Sequence, residues 1–208
     1  MVEAEFNGPE RGKPLVEVEL TVEFQNGEST VTVNGFYDGN GIYKIRFMPE
    51  TLGIWTFKTS SNAKQLDGKT GSLICVHPDV QNHGPVDVFN TFHFAYADGT
   101  PFKQIGTTCY AWVHQTPELQ EQTLETLSEQ AFNKIRMCIF PKDYKYNQNE
   151  PDFYPFVRDK EGNNDYSRFD PEFWAHLEQR ILDLQALGIE ADLILFHPYD
   201  RWGYAEIT

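Results

Sequence analysis

The sequence predicts a two-domain chain: an all-β sandwich over residues 1–97, then an α/β segment over residues 98–208. Three observations predict it. In the first half apolar residues recur at every second position between closely spaced turn signals. The second half holds three apolar strand-like runs separated by two amphipathic helical patterns. Between the halves, Asp98-Gly99-Thr100-Pro101 marks the change of pattern. Strands alternating with helices imply a parallel sheet, and the ligands of such sheets bind at the carboxyl ends of the strands.

The first domain follows in order. Val16, Val18, Leu20, Val22 and Phe24 alternate with Glu17, Glu19, Thr21 and Glu23, the period of a half-buried strand. Asn26-Gly27 is a hairpin signal, and Val31 and Val33 lie on the return strand. Tyr43, Ile45 and Phe47 alternate with Lys44 and Arg46, and Trp55 with Phe57 continues the alternation. Runs at Ser72–Val76 and Phe92–Tyr96 sit between turn-rich segments such as Asp67-Gly68 and Asp98-Gly99. Short strands with this punctuation predict an immunoglobulin-like sandwich, and no helical period of useful length appears.

In the second domain Thr116-Pro117-Glu118 opens a helix with a capping hydroxyl, a proline at the first position and an acid in the first turn. Leu124, Leu127 and Ala131 form its inner face. Asp170-Pro171-Glu172 repeats the opening, Trp174, Leu177, Ile181 and Leu184 make the stripe, and Gly188 closes the helix. The stretch Asp143–Phe169 is long for a strand-to-helix loop and rich in Tyr, Asn, Asp and Pro, which predicts an active-site rim.

Composition narrows the function. The 208 residues are 40% hydrophobic, ample for real cores, and the net charge of −14 argues against nucleic acid, which needs a basic footprint. Cys75, Cys109 and Cys138 each lie in an apolar run, so they read as small buried hydrophobes and not as a disulfide framework. His77 and His83 lie on a loop with Asp79, but no third metal ligand has convincing spacing, and no cofactor motif is found. The start, Met-Val-Glu-Ala-Glu-Phe, has no apolar h-region, and no run approaches the ~20 residues of a membrane span. The expectation is a cytoplasmic protein without a membrane contact.

The three strand ends carry the candidate site. They read Ile105-Gly-Thr-Thr-Cys-Tyr-Ala-Trp-Val-His114, Ile135-Arg-Met-Cys-Ile-Phe-Pro-Lys142 and Leu193-Ile-Leu-Phe-His-Pro-Tyr-Asp-Arg-Trp-Gly203. Their polar and aromatic members are Tyr110, Trp112, His114, Arg136, Lys142, His197, Tyr199, Asp200 and Trp202. Ring faces beside a few hydrogen-bonding groups suit a sugar, which has apolar C–H faces and a polar rim. The expected ligand is therefore an oligosaccharide, polysaccharide or other glycoside. Trp112, Trp202, Tyr110 and Tyr199 read as stacking platforms or as packed rings, His114 and His197 as contacts to sugar hydroxyls or as structural histidines, Asp200 as a salt-bridge or hydroxyl contact, and Lys142 as a substrate contact or a solvated rim residue. Arg136 should share a face with Cys138 and Phe140; a buried arginine needs an acidic partner, the chain does not visibly supply one, and strain or exposure of Arg136 is the expected result.

These residues also carry a family resemblance. Phe94-Ala-Tyr-Ala-Asp-Gly-Thr-Pro-Phe102, Gly106-Thr-Thr-Cys-Tyr-Ala-Trp112, Phe132-Asn-Lys-Ile-Arg-Met137 and His197-Pro-Tyr-Asp-Arg-Trp-Gly203 resemble the start of an apiosidase-like or cellulase-like glycoside hydrolase barrel. Ahead of them, Gly35-Phe-Tyr-Asp-Gly-Asn-Gly-Ile-Tyr-Lys-Ile-Arg-Phe-Met-Pro49 and Gly53-Ile-Trp55 resemble the small sandwich that precedes such barrels. The resemblance implies that residues 98–208 are the first part of a (β/α)8 TIM barrel, with three strands and two helices. It implies a retaining mechanism by two glutamates after later strands, beyond residue 208, and an Arg136 that points into the barrel to orient the nucleophile. A complete barrel takes about 250 residues, so the expectation is a truncated, inactive chain from an active glycosidase. Asp200 and Glu206 sit on one loop without a partner across a cleft and do not form the carboxylate pair that glycoside hydrolysis uses.

Two other classes stay open. A carbohydrate-binding module could use Tyr37, Tyr43 and Trp55 of the sandwich. A non-catalytic interaction protein could use exposed sheet edges.

Overall fold

The computed structural model describes residues 1–80 and 82–204, so Glu206 lies outside the described residues. They form two compact units, Met1–Asn82 and His83–Thr208. The fold is mostly β, with several antiparallel sheets and one parallel sheet.

The first unit contains β1 (Val2–Asn7), a one-turn α1 (Pro14–Glu17), β2 (Leu20–Asn26), β3 (Ser29–Asn34), β4 (Phe36–Gly39), β5 (Ile42–Phe47), β6 (Gly53–Ser61) and β7 (Thr70–Cys75). Its strands make a three-stranded sheet, β1-β5-β4, and a four-stranded sheet, β3-β2-β6-β7, both antiparallel. Alternation decides which side chains go in. Leu20, Val22 and Phe24 from one sheet meet Tyr43, Ile45 and Phe47 from the other, and Trp55 and Leu66 complete this single core. The Phe24 and Phe47 rings stack at 4.0 Å between centroids. On the opposite face of β5, Lys44 pairs with Asp38 at 2.7 Å and with Glu3 and Glu5 at 3.4 Å each. The Asp38 hydrogen bond holds the ammonium pKa well above the ordinary lysine range.

Two local outcomes are worth stating. In the β2–β3 hairpin Asn26 is paired with Ser29, and Gly27 takes φ +58° as the first of the two loop residues, the position where a type II′ turn wants glycine. Upstream, the expected strand is shorter than its pattern. Val16 lies in α1 and is exposed, and β2 begins only at Leu20. Pro14 at the first helical position starts that turn, a backbone effect that a period-2 count does not register.

The second unit opens with a three-stranded antiparallel meander of β8 (Val86–Phe89), β9 (His93–Tyr96) and β10 (Pro101–Phe102). The division between units thus falls ahead of the Phe92–Tyr96 strand, which the sequence grouped with the first domain. There follow β11 (Gly106–Thr108), a 3-10 turn (Trp112–His114), α2 (Pro117–Ser128), β12 (Lys134–Cys138), β13 (Phe156–Arg158), β14 (Asn164–Phe169), α3 (Pro171–Ala186) and β15 (Glu190–Ile194). Strands β11, β12 and β15 form a parallel sheet with β12 in the middle. Ile135 and Met137 of β12 join Leu127 of α2 and Phe173, Leu177 and Leu184 of α3 in the second core.

The two main helices begin and end for readable reasons. Asp170 caps α3 by accepting from the Glu172 amide at 3.0 Å. At its end Gly188, at φ +71°, donates to Gln185 O, and Ile189 donates to Leu184 O, both at 2.9 Å, the paired bonds of a Schellman motif. In α2 the expected Thr116 cap is absent: the hydroxyl makes no capping bond. The Glu118 carboxylate instead accepts from its own amide and from Thr116, which lowers its pKa. Ala131, expected on the inner face, is exposed beyond the helix end at Ser128.

Candidate functional site

The carboxyl ends of the parallel strands bring three of the expected residues together. Lys142, just past β12, is buried, with its Nζ 3.7 Å from the centroid of the Tyr110 ring. The same Nζ is 4.7 Å from the Tyr199 ring and 4.8 Å from the Tyr144 ring. Tyr110 follows β11, Lys142 and Tyr144 follow β12 and Tyr199 follows β15, so every parallel strand contributes to the cluster. Backbone bonds fix the loops. Asp143 N donates to Tyr199 O at 2.9 Å, and buried Asn147 donates through Nδ2 to Lys142 O at 2.9 Å. Tyr144 was missed by the sequence reading; its place beside Lys142 and two positions further on was the available signal.

Other expected contacts turn inward. Trp112 is 3% exposed and packs in the second core, with Nε1 donating to Gln120 O at 3.1 Å. It offers no ring face for stacking. His114 is also buried; its Nε2 donates to Ile139 O at 2.9 Å and its ring lies parallel to Phe173 at 5.8 Å. Burial pushes its pKa down to about 4, so it is neutral in ordinary conditions. The reason is local: after Thr108 the chain leaves the strand and coils into the 3-10 turn, so alternation along 105–114 no longer predicts direction.

His197 donates from Nε2 to Phe140 O at 3.1 Å, leaving Nδ1 buried without a hydrogen-bond partner. Asp200 accepts from the Trp202 amide at 2.8 Å, closing its own turn. Trp202 is buried, and its Nε1 donates to Glu150 at 3.0 Å.

Glu150 is a second residue that sequence reasoning missed. Its carboxylate also accepts from Arg201 at 3.1 Å and from the Tyr154 hydroxyl, and Arg158 lies 3.7 Å away. The Tyr154 hydrogen bond contributes most to its lowered pKa, which leaves it a poor proton donor. The long segment 143–169 is thus built, not loose: β13 pairs with β14, and Phe156 enters the core against Phe140 and Tyr204. Two Glu150 partners, Tyr154 and Arg158, lie in this same segment, while Trp202, 52 positions away, and Arg201 could not be read from it.

Arg136 is exposed, one of the two outcomes expected of it, but the expected lack of an acidic partner is corrected. It does not lie in a buried site lacking an acid; its side chain is 54% exposed and makes a two-pronged bond to Asp192 Oδ2, from Nε at 2.9 Å and Nη2 at 2.8 Å. Register explains the pairing, since β12 and β15 place Arg136 directly beside Asp192. Lys134 adds a weaker contact to the same oxygen at 3.6 Å.

The thiols are unsuited to nucleophilic work. Burial raises the Cys109 pKa and pushes Cys138 to about 11. His83 Nδ1 pairs with Asp98 at 2.7 Å, which lowers the Asp98 pKa to about 2. No helix among the described residues is long and apolar enough to cross a membrane. In the first unit Tyr43 and Trp55 are fully buried core residues, which removes two of the three rings a binding surface there would have used.

With this geometry in hand, comparison with known proteins is informative. Residues 1–62 match a family described as a domain of unknown function, DUF5060. The chain superimposes over 98% of its length on a Bacteroides vulgatus protein described as a "putative glycoside hydrolase", with 46% identity and a TM-score of 0.91. It spans 42% of that protein. A protein named glycoside hydrolase aligns at 18% identity over 55% of this chain and 26% of its own, with a TM-score of 0.40. A family 5 glycoside hydrolase from Bacteroides vulgatus aligns at 15% identity over 54% of this chain and 24% of its own, with a TM-score of 0.39. Similarity that low carries no argument. No protein of curated function matches the sequence.

Proposed function

We propose that this chain is the N-terminal portion of a glycoside hydrolase, an immunoglobulin-like β-sandwich followed by the first three strands of a (β/α)8 barrel. The observation that carries the reading is the likeness to the Bacteroides vulgatus protein, at 46% identity and a TM-score of 0.91 across 98% of the chain. The structure is in keeping with it. Parallel strands β11, β12 and β15 carry helices on one face and leave the face of Arg136 open, as an unfinished barrel would.

In this reading the substrate is a glycoside bound over the strand ends, where Tyr110, Lys142 and Tyr199 meet. His197, Asp200 and Trp202 shape the loop beyond β15. The reaction cleaves an O-glycosidic bond with retention of configuration. One carboxylic acid protonates the leaving oxygen while a second carboxylate attacks the anomeric carbon, the two about 5–5.5 Å apart; water then releases the sugar. Both carboxylates are assigned to chain beyond residue 208. Arg136 acts on the nucleophile only indirectly. Its guanidinium, already oriented by Asp192, keeps a carboxylate brought to that open face ionised and in line.

The test is hydrolysis of a panel of aryl glycosides by the 208-residue chain and by the longer protein that contains it. The longer protein should release nitrophenol, and proton NMR of the first-formed sugar should show the starting anomer. The 208-residue chain should release none. Turnover by the short chain at a similar rate would refute the reading.

A further inference from the structure

We propose that Lys142 with the rings of Tyr110, Tyr144 and Tyr199 forms a subsite for an anionic sugar, a glycan residue bearing a carboxylate or a sulfate group. The proposal rests on the glycan reading above and narrows its substrate class. Lysine is seldom buried without an acidic partner, because desolvating the ammonium is costly unless something offsets it. Lys142 is 8% exposed, yet its ammonium makes no ion pair with a carboxylate of the described residues. Three ring faces surround it instead, at 3.7, 4.7 and 4.8 Å.

That difference decides the chemistry. A carboxylate partner would cancel the lysine charge. The quadrupoles of tyrosine rings stabilise the cation but carry no net charge, so the positive potential survives. The open side of the cluster is at Tyr199, which is 54% exposed while Tyr110 and Tyr144 are half-buried. Charge acting across a partly dehydrated rim is screened less than in bulk water. The cluster therefore presents a fixed cation on a molecule whose net charge is −14.

A ligand fitting it must have an anionic group for Nζ and a flat apolar face for the open side of Tyr199. A pyranose bearing a carboxylate or sulfate has both. An inorganic anion lacks the face, and a neutral sugar lacks the charge. The site is also rigid before any ligand arrives. The Asp143–Tyr199 backbone bond holds the ring against the lysine, and Asn147 ties down the Lys142 carbonyl, so little ordering remains to be done on binding.

The experiment is calorimetric titration of the 208-residue chain with three trisaccharides: a uronate trimer, a sulfated trimer and a neutral trimer of the same linkage. At low ionic strength at least one acidic trimer should bind roughly tenfold more tightly than the neutral one, about one charge-assisted contact. Added salt should shrink that advantage, and Lys142→Met should abolish it, leaving acidic and neutral trimers with equal affinity. Which acidic trimer gains identifies the group read. Equal affinity for acidic and neutral trimers overturns the subsite but leaves the glycan reading standing. Binding of none overturns both. An acidic preference retained by a folded Lys142→Met or Lys142→Gln chain also overturns it, and the wild-type comparison decides even if neither variant folds.

Discussion

The two units apply the same packing rule to different sheets. In the first, two antiparallel sheets each bury one face, and the seven strands leave charged ladders such as Glu3–Lys44–Asp38 outside. In the second, the parallel sheet buries Ile135 and Met137 under helices but leaves the Arg136–Asp192 pair open. At its end strand, Leu193 stands in register with fully buried Met137 yet is 40% exposed, and Leu195 and Phe196 are each 44% exposed. Parallel sheets are ordinarily covered on both faces. The contrast shows that a buried helix-side core alone does not complete a sheet of this kind. The first unit buries one face of each sheet and leaves Ile54 and Ile74, paired across β6 and β7, 63% and 69% exposed on the other; the second buries the helix side of β12 and leaves its end strand open.

The largest expected effects test whether both cores are equally consolidated. Trp55→Ala and Trp112→Ala should each cost about 3–5 kcal/mol in urea unfolding, the range for deleting a buried aromatic. A cost for Trp112→Ala below about 1 kcal/mol, with weakened sugar binding, would return that residue to the surface role its sequence context predicts.

A pH titration sharpens the comparison next, because the first unit has no equivalent of His114. Its pKa is depressed in the fold to about 4, so between the unfolded value near 6.5 and about 4 the unfolded state holds the extra proton. Stability from His114 is therefore full above about pH 6.5 and is lost as pH falls towards 4. The loss should be on the order of 3 kcal/mol, confined to the second unit. Paired unfolding curves at neutral and mildly acid pH check it, and His114→Asn should flatten the slope. The stability that Asp98 and Asp165, held at about 2, contribute is fully present across this range and is lost only as pH falls below the ordinary carboxylate value of about 4.

The smallest effect belongs to the open face. Arg136→Ala should change the stability of the 208-residue chain by less than about 1 kcal/mol, because exposed ion pairs contribute little. In the longer protein the same change should lower kcat strongly with the fold intact. Thermal melts of both and kinetics of the longer one read the split; an unchanged rate would remove Arg136 from the site.

Much of this arrangement was legible because it depends on neighbours in sequence. Alternation at Leu20–Phe24 and Tyr43–Phe47 marked which residues face the core, Gly27 marked a hairpin, and Gly188 marked a helix end. The three parallel strands separated by two helices were legible for the same reason. Site residues were harder. Tyr110, Lys142 and Tyr199 do meet, but Trp112, His114 and Trp202 turn inward once the chain leaves strand geometry. Asp192 as the partner of Arg136 follows from strand register across 56 positions, and the Glu150 network joins residues as distant. Neither pairing has a local sequence signal.

Hydrogen exchange in the second unit tests the central claim most directly. In the 208-residue chain the edge strands β11 and β15 should exchange far faster than β2 and β6 of the first unit, since each lacks a neighbour on one side. In the longer protein the same amides should slow by about a hundredfold or more, as further strands and helices cover them. Equal protection of β11 and β15 in the two proteins would show that the sheet needs no further chain, and would contradict the account.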